Sequence, residues 1–203
     1  MTRLKLGLMI FPGFEMLDAY GPLEMCSMHQ KLFEIFAIGP SLDPVKTNSG
    51  GPATMPDLTF ENATQMDILL VPGGTGWRDV VSDQSQLDWL RGQAERAQWV
   101  TSVCTGSLIL AAAGLLDGKR ATTNKMAFPR TTPAYPAVHW QPSARWVVDG
   151  KFLTSSGVSA GMDMALDLIA RIAGPEAAEQ AAHWAEYTRN PDPDHDPFAV
   201  EAP

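Results

Sequence analysis

The sequence predicts an α/β fold: a doubly wound, mostly parallel sheet sandwiched by helices, with a small β-hairpin. Short apolar runs at 4–10, 67–71 and 99–103 alternate with helically patterned stretches. Strands separated by helices imply a parallel sheet covered on both faces, and right-handed crossovers make it doubly wound. A hairpin follows from Asp149-Gly150, which sits between apolar segments at 145–148 and 152–155; Asp-Gly is a strong tight-turn signal.

Each element has a local reason. The run LKLGLMI over 4–10 reads as a buried strand, broken by Phe11-Pro12-Gly13, and a helix follows over 17–30. A second strand over 33–38 stops at Gly39-Pro40, and 47–57, rich in Gly, Pro and Thr, reads as loop or edge structure. The strand over 67–71 runs into Pro72-Gly73-Gly74. Ser82 is placed to cap a helix over 83–97. The strand over 99–103 leads to Cys104, and a buried helix over 105–116 closes in the glycines 114–118. After 120–123 and the hairpin, Ser159 is placed to cap a helix reaching about 172. Gly174-Pro175 ends it and opens the next, with proline at a first helical position. From Asn190 the stretch NPDPDHDPF is irregular. The expectation is one domain over 1–190 and an acidic, Pro-rich tail over 191–203.

Composition narrows the function. The 203 residues carry 15 Lys+Arg against 23 Asp+Glu, a net charge of -8. A nucleic-acid surface needs a basic stripe, and anionic lipid needs a basic patch, so neither is expected as a partner. Two cysteines, Cys26 and Cys104, make neither a disulfide scaffold nor a four-cysteine zinc site. No secretory leader is legible at the start. The longest apolar run, 108–116, is far too short to span a bilayer. The expected compartment is the cytoplasm, with both thiols free.

Cys104 is the sharpest chemical feature. It stands where an apolar strand meets an apolar helix, with Ser102 two before it and Gly106 two after. Small residues at those positions suit a strand–nucleophile–helix elbow, which crowds its flanks and exposes its central side chain. The following helix N-terminus favours thiolate over thiol. The bland alternative is a buried, inert cysteine. Gly73, Gly74 and Thr75 end a strand where ligands sit in such sheets, so their N–H groups could steady negative charge or form only a turn. Asp18 is either a helix cap or a carboxyl that moves protons at the mouth of the same cleft; Glu15 is a second carboxyl there. His29, His139, His183 and His195 are scattered with no metal-ligand spacing, so no metal is expected. His183 and Glu186 read as an ordinary helix face, and Cys26 as packing.

These residues resemble the ThiJ/PfpI superfamily, and within it most closely the isocyanide hydratases. The resemblance rests on Phe11-Pro12, Leu17-Asp18, Gly21-Pro22, the 71–76 segment VPGGTG, the 100–108 segment VTSVCTGSL, Ala112-Ala113-Gly114, Arg120-Ala121-Thr122-Thr123, Gly157, Ala160-Gly161 and Asp163. It implies a flavodoxin-like, class I glutamine amidotransferase-like fold and a homodimer. It also implies an isocyanide as small-molecule substrate, hydrated to an N-substituted formamide without a cofactor. Cys104 would be the nucleophile, Asp18 the acid–base group and Thr105 a hydrogen-bonding partner. Asp18 rather than glutamate, and Thr105 rather than the histidine of PfpI-type peptidases, favour the hydratases. Where relatives carry His-Trp this chain has Asn124-Lys125, which implies a reshaped pocket. Two other readings stay open: a non-catalytic cysteine sensor or small-molecule binding protein, and another cysteine enzyme of the glyoxalase or amidase type.

Overall fold

The computed structural model describes residues 2–200. Seven strands form one sheet: β1 (Leu4–Met9), β2 (Phe33–Gly39), β5 (Leu58–Thr59), β6 (Ile68–Val71), β7 (Trp99–Val103), β10 (Trp146–Asp149) and β11 (Phe152–Ser155), in the order β10-β11-β7-β6-β1-β2-β5. All neighbours are parallel except β10 and β11, which pair antiparallel. Two small pairs lie outside: β3 (Val45–Lys46) with β4 (Ala53–Thr54), and β8 (Arg120–Ala121) with β9 (His139–Trp140). Strands buried on both faces read as continuous apolar runs; β6 and β11 are buried along their whole length. Leu6, Leu8, Met9, Ile68, Leu69 and Leu70 form the core, each stabilising by roughly 1.5–3 kcal/mol.

Helices α1 (Met16–Ser27), α6 (Ala160–Ala173) and α7 (Pro175–Trp184) pack together. A second group joins α2 (Trp77–Val80), α3 (Gln84–Arg96) and α4 (Gly106–Ala112). A single turn, α5 (Phe128–Thr131), lies beyond β8. The fold is thus the mixed, mostly parallel α/β sandwich expected. The hairpin β10–β11 is no appendage: β11 runs parallel beside β7 and completes the sheet.

Three details of the helix ends differ from the sequence reading. Asp83, not Ser82, caps α3, its Oδ1 accepting from the N–H groups of Ser85 and Gln86 at 3.0 and 3.3 Å. The helix after Cys104 ends at Ala112, because Gly114 turns into the left-handed region at φ 72°. Ser159 holds the N-cap position of α6 without a side-chain cap bond. The segment after Asn190 is irregular as expected, yet it is tied down. Arg145 N–H donates to Pro193 O at 2.8 Å, Asp196 N–H to Ser143 O at 2.8 Å, and Asn190 N–H to Asp163 Oδ1 at 2.9 Å.

Candidate active site

The carboxyl ends of β1, β6, β7 and β11 open on one side of the sheet. Because β6 and β7 are hydrogen-bonded neighbours, the glycine loop after Val71 lies beside Cys104. Gly106 lets α4 close on that loop: a Cβ there would stand 2.1 Å from Val71 O.

Cys104 has φ 58°, a left-handed conformation costly for a residue with a Cβ. The surroundings hold it there. Its N–H donates to Ser155 O at 3.2 Å and Ser156 O at 3.0 Å. Its carbonyl accepts from the hydroxyls of Thr123 at 3.0 Å and Ser107 at 3.1 Å. Persistent strain of this kind needs such over-determination.

The side chain is not exposed as the elbow pattern suggested; Cys104 is 7% accessible. Nor is the thiol acidic. Burial pushes it up to about 12, and the neighbouring Asp18 carboxylate adds to the rise. The N–H groups of Thr105 and Val158 and the side-chain amide of Asn124 work the other way, favouring the thiolate. Their pull is smaller than that of burial, which favours the thiol.

Asp18 lies two residues into α1 and is fully buried. It does not cap its helix. Its Oδ2 accepts from Gly73 N–H at 2.9 Å, while Oδ1 is buried and meets no N–H or O–H donor. The polar group facing the carboxylate is the Cys104 thiol. Burial raises the carboxyl to about 7, partly offset by the Gly73 bond.

Gly73 and Gly74 are already engaged inside the protein. Gly73 N–H holds Asp18, and Gly74 N–H donates to Thr105 Oγ1 at 3.2 Å. Thr75 and Thr105 line a cleft of about 260 Å³ with Cys104, Glu15, Trp77, Asn124 and Val158. Glu15 Oε2 accepts from Asn48 Nδ2 at 2.6 Å. The histidines lie elsewhere: His29 bonds Ala177 O at 2.8 Å, and His183 is an exposed residue near the end of α7. Cys26 is buried in α1, its thiol likewise pushed up to about 12 by burial. Among the described residues no group of three His, Cys, Asp or Glu could hold a metal ion. No helix of the described chain is long and apolar enough to cross a membrane.

Two residues of the cleft had no role assigned by sequence. Asn124 reaches the cysteine from the loop after β8, its Oδ1 fixed by Ala127 N–H at 3.0 Å. Gly157 makes room for it: a Cβ there would stand 2.7 Å from Asn124 Nδ2. Val158 follows β11 at φ 45°, an outlier for a β-branched residue. The departure from His-Trp marked position 124; nothing in the sequence marked position 158.

The model of the DJ-1/PfpI family matches residues 5–171. The chain belongs to the DJ-1/PfpI family. Among curated relatives, an isonitrile hydratase of Pseudomonas putida is 38% identical over 202 residues, 97% of this chain and 86% of that protein. The transcriptional regulator CdhR of Pseudomonas aeruginosa is 31% identical over 86% of this chain, which spans only 52% of the regulator. Among solved DJ-1/PfpI structures, a ThiJ/PfpI family protein from Pseudomonas syringae superposes with a TM-score of 0.83 at 33% identity, covering 94% of this chain and 78% of its own. DJ-1beta of Drosophila melanogaster, 19% identical, shares the fold with a TM-score of 0.82 over 92% of this chain and 100% of its own.

Proposed function

We propose that the protein hydrates an isocyanide, R–N≡C, to the formamide R–NH–CHO, with Cys104 as nucleophile and Asp18 as the acid–base group. The supporting observation is the buried Cys104 thiol facing an Asp18 carboxyl raised to about 7, in a chain 38% identical to an isonitrile hydratase. A group titrating near neutrality serves as base and then acid.

The thiol is activated when needed rather than stored as thiolate. Asp18 takes the S–H proton as sulfur forms a bond to the terminal isocyanide carbon. The same carboxylic acid returns the proton to that carbon, giving the thioimidate R–N=CH–S–Cys104. Water then adds to the carbon, Asp18 taking one of its protons while nitrogen receives the other through the site. Collapse of the tetrahedral adduct expels the sulfur, which is reprotonated, and releases the formamide. Thr105 accepts the Gly74 N–H and presents its hydroxyl proton to the cleft. The N–H groups of Thr105 and Val158, with the Asn124 amide, steady charge on sulfur as it attacks and leaves. Gly73 acts through Asp18, Gly74 through Thr105, and Thr75 by lining the cleft.

The same reading takes the protein as a cytoplasmic homodimer without nucleic-acid or membrane partners. Met16, Leu17 and Tyr20, exposed on α1, offer an apolar face for a second copy. The match to half of a regulator supports one rival, a sensor domain that binds without turnover. Formamide release from a model isocyanide, followed by mass spectrometry beside Cys104→Ala, separates the two. Formamide from the parent and none from Cys104→Ala is expected; no formamide from the parent sinks the hydratase reading.

A further inference from the structure

Lys125 takes no part in the proposed steps, yet it is 4% accessible and directly follows Asn124, the residue whose amide reaches the Cys104 sulfur. The turn that carries both is otherwise a surface turn: Met126, Pro129 and Arg130 are exposed. We propose that Lys125 is a positioning residue for the reaction, its ammonium pinning the turn so that the Asn124 side-chain amide stays on the sulfur. The proposal rests on the hydratase reading and deepens it. Lys125 acts through Asn124 and does not itself line the cysteine cleft.

The bonds around Asn124 are of two kinds. Within the turn, its Oδ1 accepts the Ala127 N–H at 3.0 Å and its carbonyl accepts the Phe128 N–H at 2.9 Å. These fix the side chain against its own turn, but not the turn against the site. The ties to the rest of the fold stand on either side. Before Asn124, the Thr123 hydroxyl donates to Cys104 O at 3.0 Å. After it, the Lys125 ammonium donates to Thr122 Oγ1 at 2.7 Å, Ala144 O at 2.6 Å and Gln141 O at 3.5 Å. Phe128 also turns inward, its buried ring centred 5.6 Å from the ammonium, within reach of a cation–π attraction.

The far end of the tie leads back to the cysteine. Arg145, next to Ala144, accepts the Ser156 N–H on its carbonyl at 2.8 Å, and Ser156 O accepts the Cys104 N–H at 3.0 Å. The turn that brings the amide to the sulfur and the residue that holds the cysteine backbone are thus anchored on one stretch, 144–145. An ammonium suits that task because it carries three donors; an apolar side chain of the same length fills the space without fixing a direction. The acceptors are neutral oxygens, and burial lowers the group to about 8 against the opposing charge of Asp196. It remains an ammonium at neutral pH, with its donors in use.

The test is a cycle of Lys125→Met, Asn124→Ala and the double variant, read in two ways. The first is turnover of cyclohexyl isocyanide. Each single substitution is expected to lower kcat about tenfold or more, and the double variant no further than the worse single, because residues acting as one are not additive. The second needs no turnover. The Asn124 side-chain amide is followed by nitrogen–proton NMR, assigned by its loss in Asn124→Ala. Its signals are expected to move when Cys104→Ala is made in the parent, and to ignore that substitution once Lys125→Met is present. Parent-like kcat in either single variant, losses that multiply in the double, or an Asn124 amide that still senses Cys104 beside Lys125→Met overturns the proposal. Should Lys125→Met not fold, the shorter, uncharged Lys125→Gln takes its place; failure of both makes Lys125 a residue of the fold alone and also overturns it. If the parent turns over no isocyanide, the hydratase reading fails and the NMR arm decides whether Lys125 positions Asn124.

Discussion

Gly73 and Asp18 are joined by a single bond, the glycine N–H donating to the carboxylate Oδ2 at 2.9 Å. The carbonyl of the same glycine accepts the Glu15 N–H at 2.8 Å. One residue thus fixes the first turn of α1 against the end of β6 and orients the acid toward Cys104. A Cβ at Gly73 would stand 2.5 Å from Thr105 Oγ1, 2.6 Å from Thr105 N and 3.0 Å from Asp18 Oδ2. Gly73→Ala is therefore expected to cost about 1–3 kcal/mol of stability by overpacking and to lower kcat/KM more than tenfold, read by thermal melts and steady-state assay. Parent-like kinetics would mean that the loop yields without moving Asp18.

Asp18→Asn keeps the shape and an acceptor for Gly73 but loses the proton. Turnover should fall about a hundredfold or more, the scale of a lost general acid–base. The parent's rate should rise with pH to a plateau with an inflection near 7, where Asp18 loses its proton.

Stability should run the other way. The folded pKa lies above the unfolded one, so this contribution is fully present below about pH 4 and is lost as pH rises toward 7. Asp18→Asn escapes that loss. It should melt above the parent at pH 8, by on the order of a few kcal/mol, with the gap closing as pH approaches 4. A constant gap across that range would place the burial penalty on another group.

Cys104→Ser should retain less than about a hundredth of parental turnover, because its hydroxyl is a far poorer nucleophile for the same base. Iodoacetamide should label Cys104 before Cys26. Both thiols are buried, but Cys104 borders a cleft and has a carboxylate positioned to take its proton. Peptide mapping with Cys26 labelled first would count against that activation.

Asp163 accepts Arg145 Nε at 2.6 Å, Tyr187 OH at 3.1 Å and Asn190 N–H at 2.9 Å, and is fully buried. Asp163→Ala strands a buried guanidinium and should cost about 3–5 kcal/mol. Because it also frees Asn190, limited proteolysis should cut first near that residue. A variant as stable as the parent, with an uncut C-terminal segment, would assign the tie to Pro193 and Asp196 instead.

Much of the site was legible because it lies at the ends of regular elements. The strand ending at Val103, the strand ending at Val71 and the helix carrying Asp18 announce themselves by apolar runs and glycine breaks. Parallel pairing of β6 and β7 then brings their ends together. The protonation state was less legible. It depends on burial of Cys104 beneath Asn124 and Val158, which come from segments without a periodic pattern. Val158 sits at a backbone angle opposite to its propensity, so local rules point away from it. The segment after Asn190 reads only as irregular from its prolines and aspartates, because no local signal reveals that Asp196 is buried, with its N–H on Ser143 O and its carboxylate on Phe198 N–H.

The left-handed backbone at Cys104 also bears on how such a protein drifts over generations. A side chain in that conformation costs roughly 1–2 kcal/mol, and glycine at the same place costs far less. Cys104→Gly should therefore melt above the parent, offset by the packing that the lost thiol provided. Two of the residues assigned to the chemistry then tax the fold that holds them, one through its backbone and one through its buried charge. A lineage released from the reaction would gain robustness by discarding both, so a nucleophile kept at this angle is a sign of continued use.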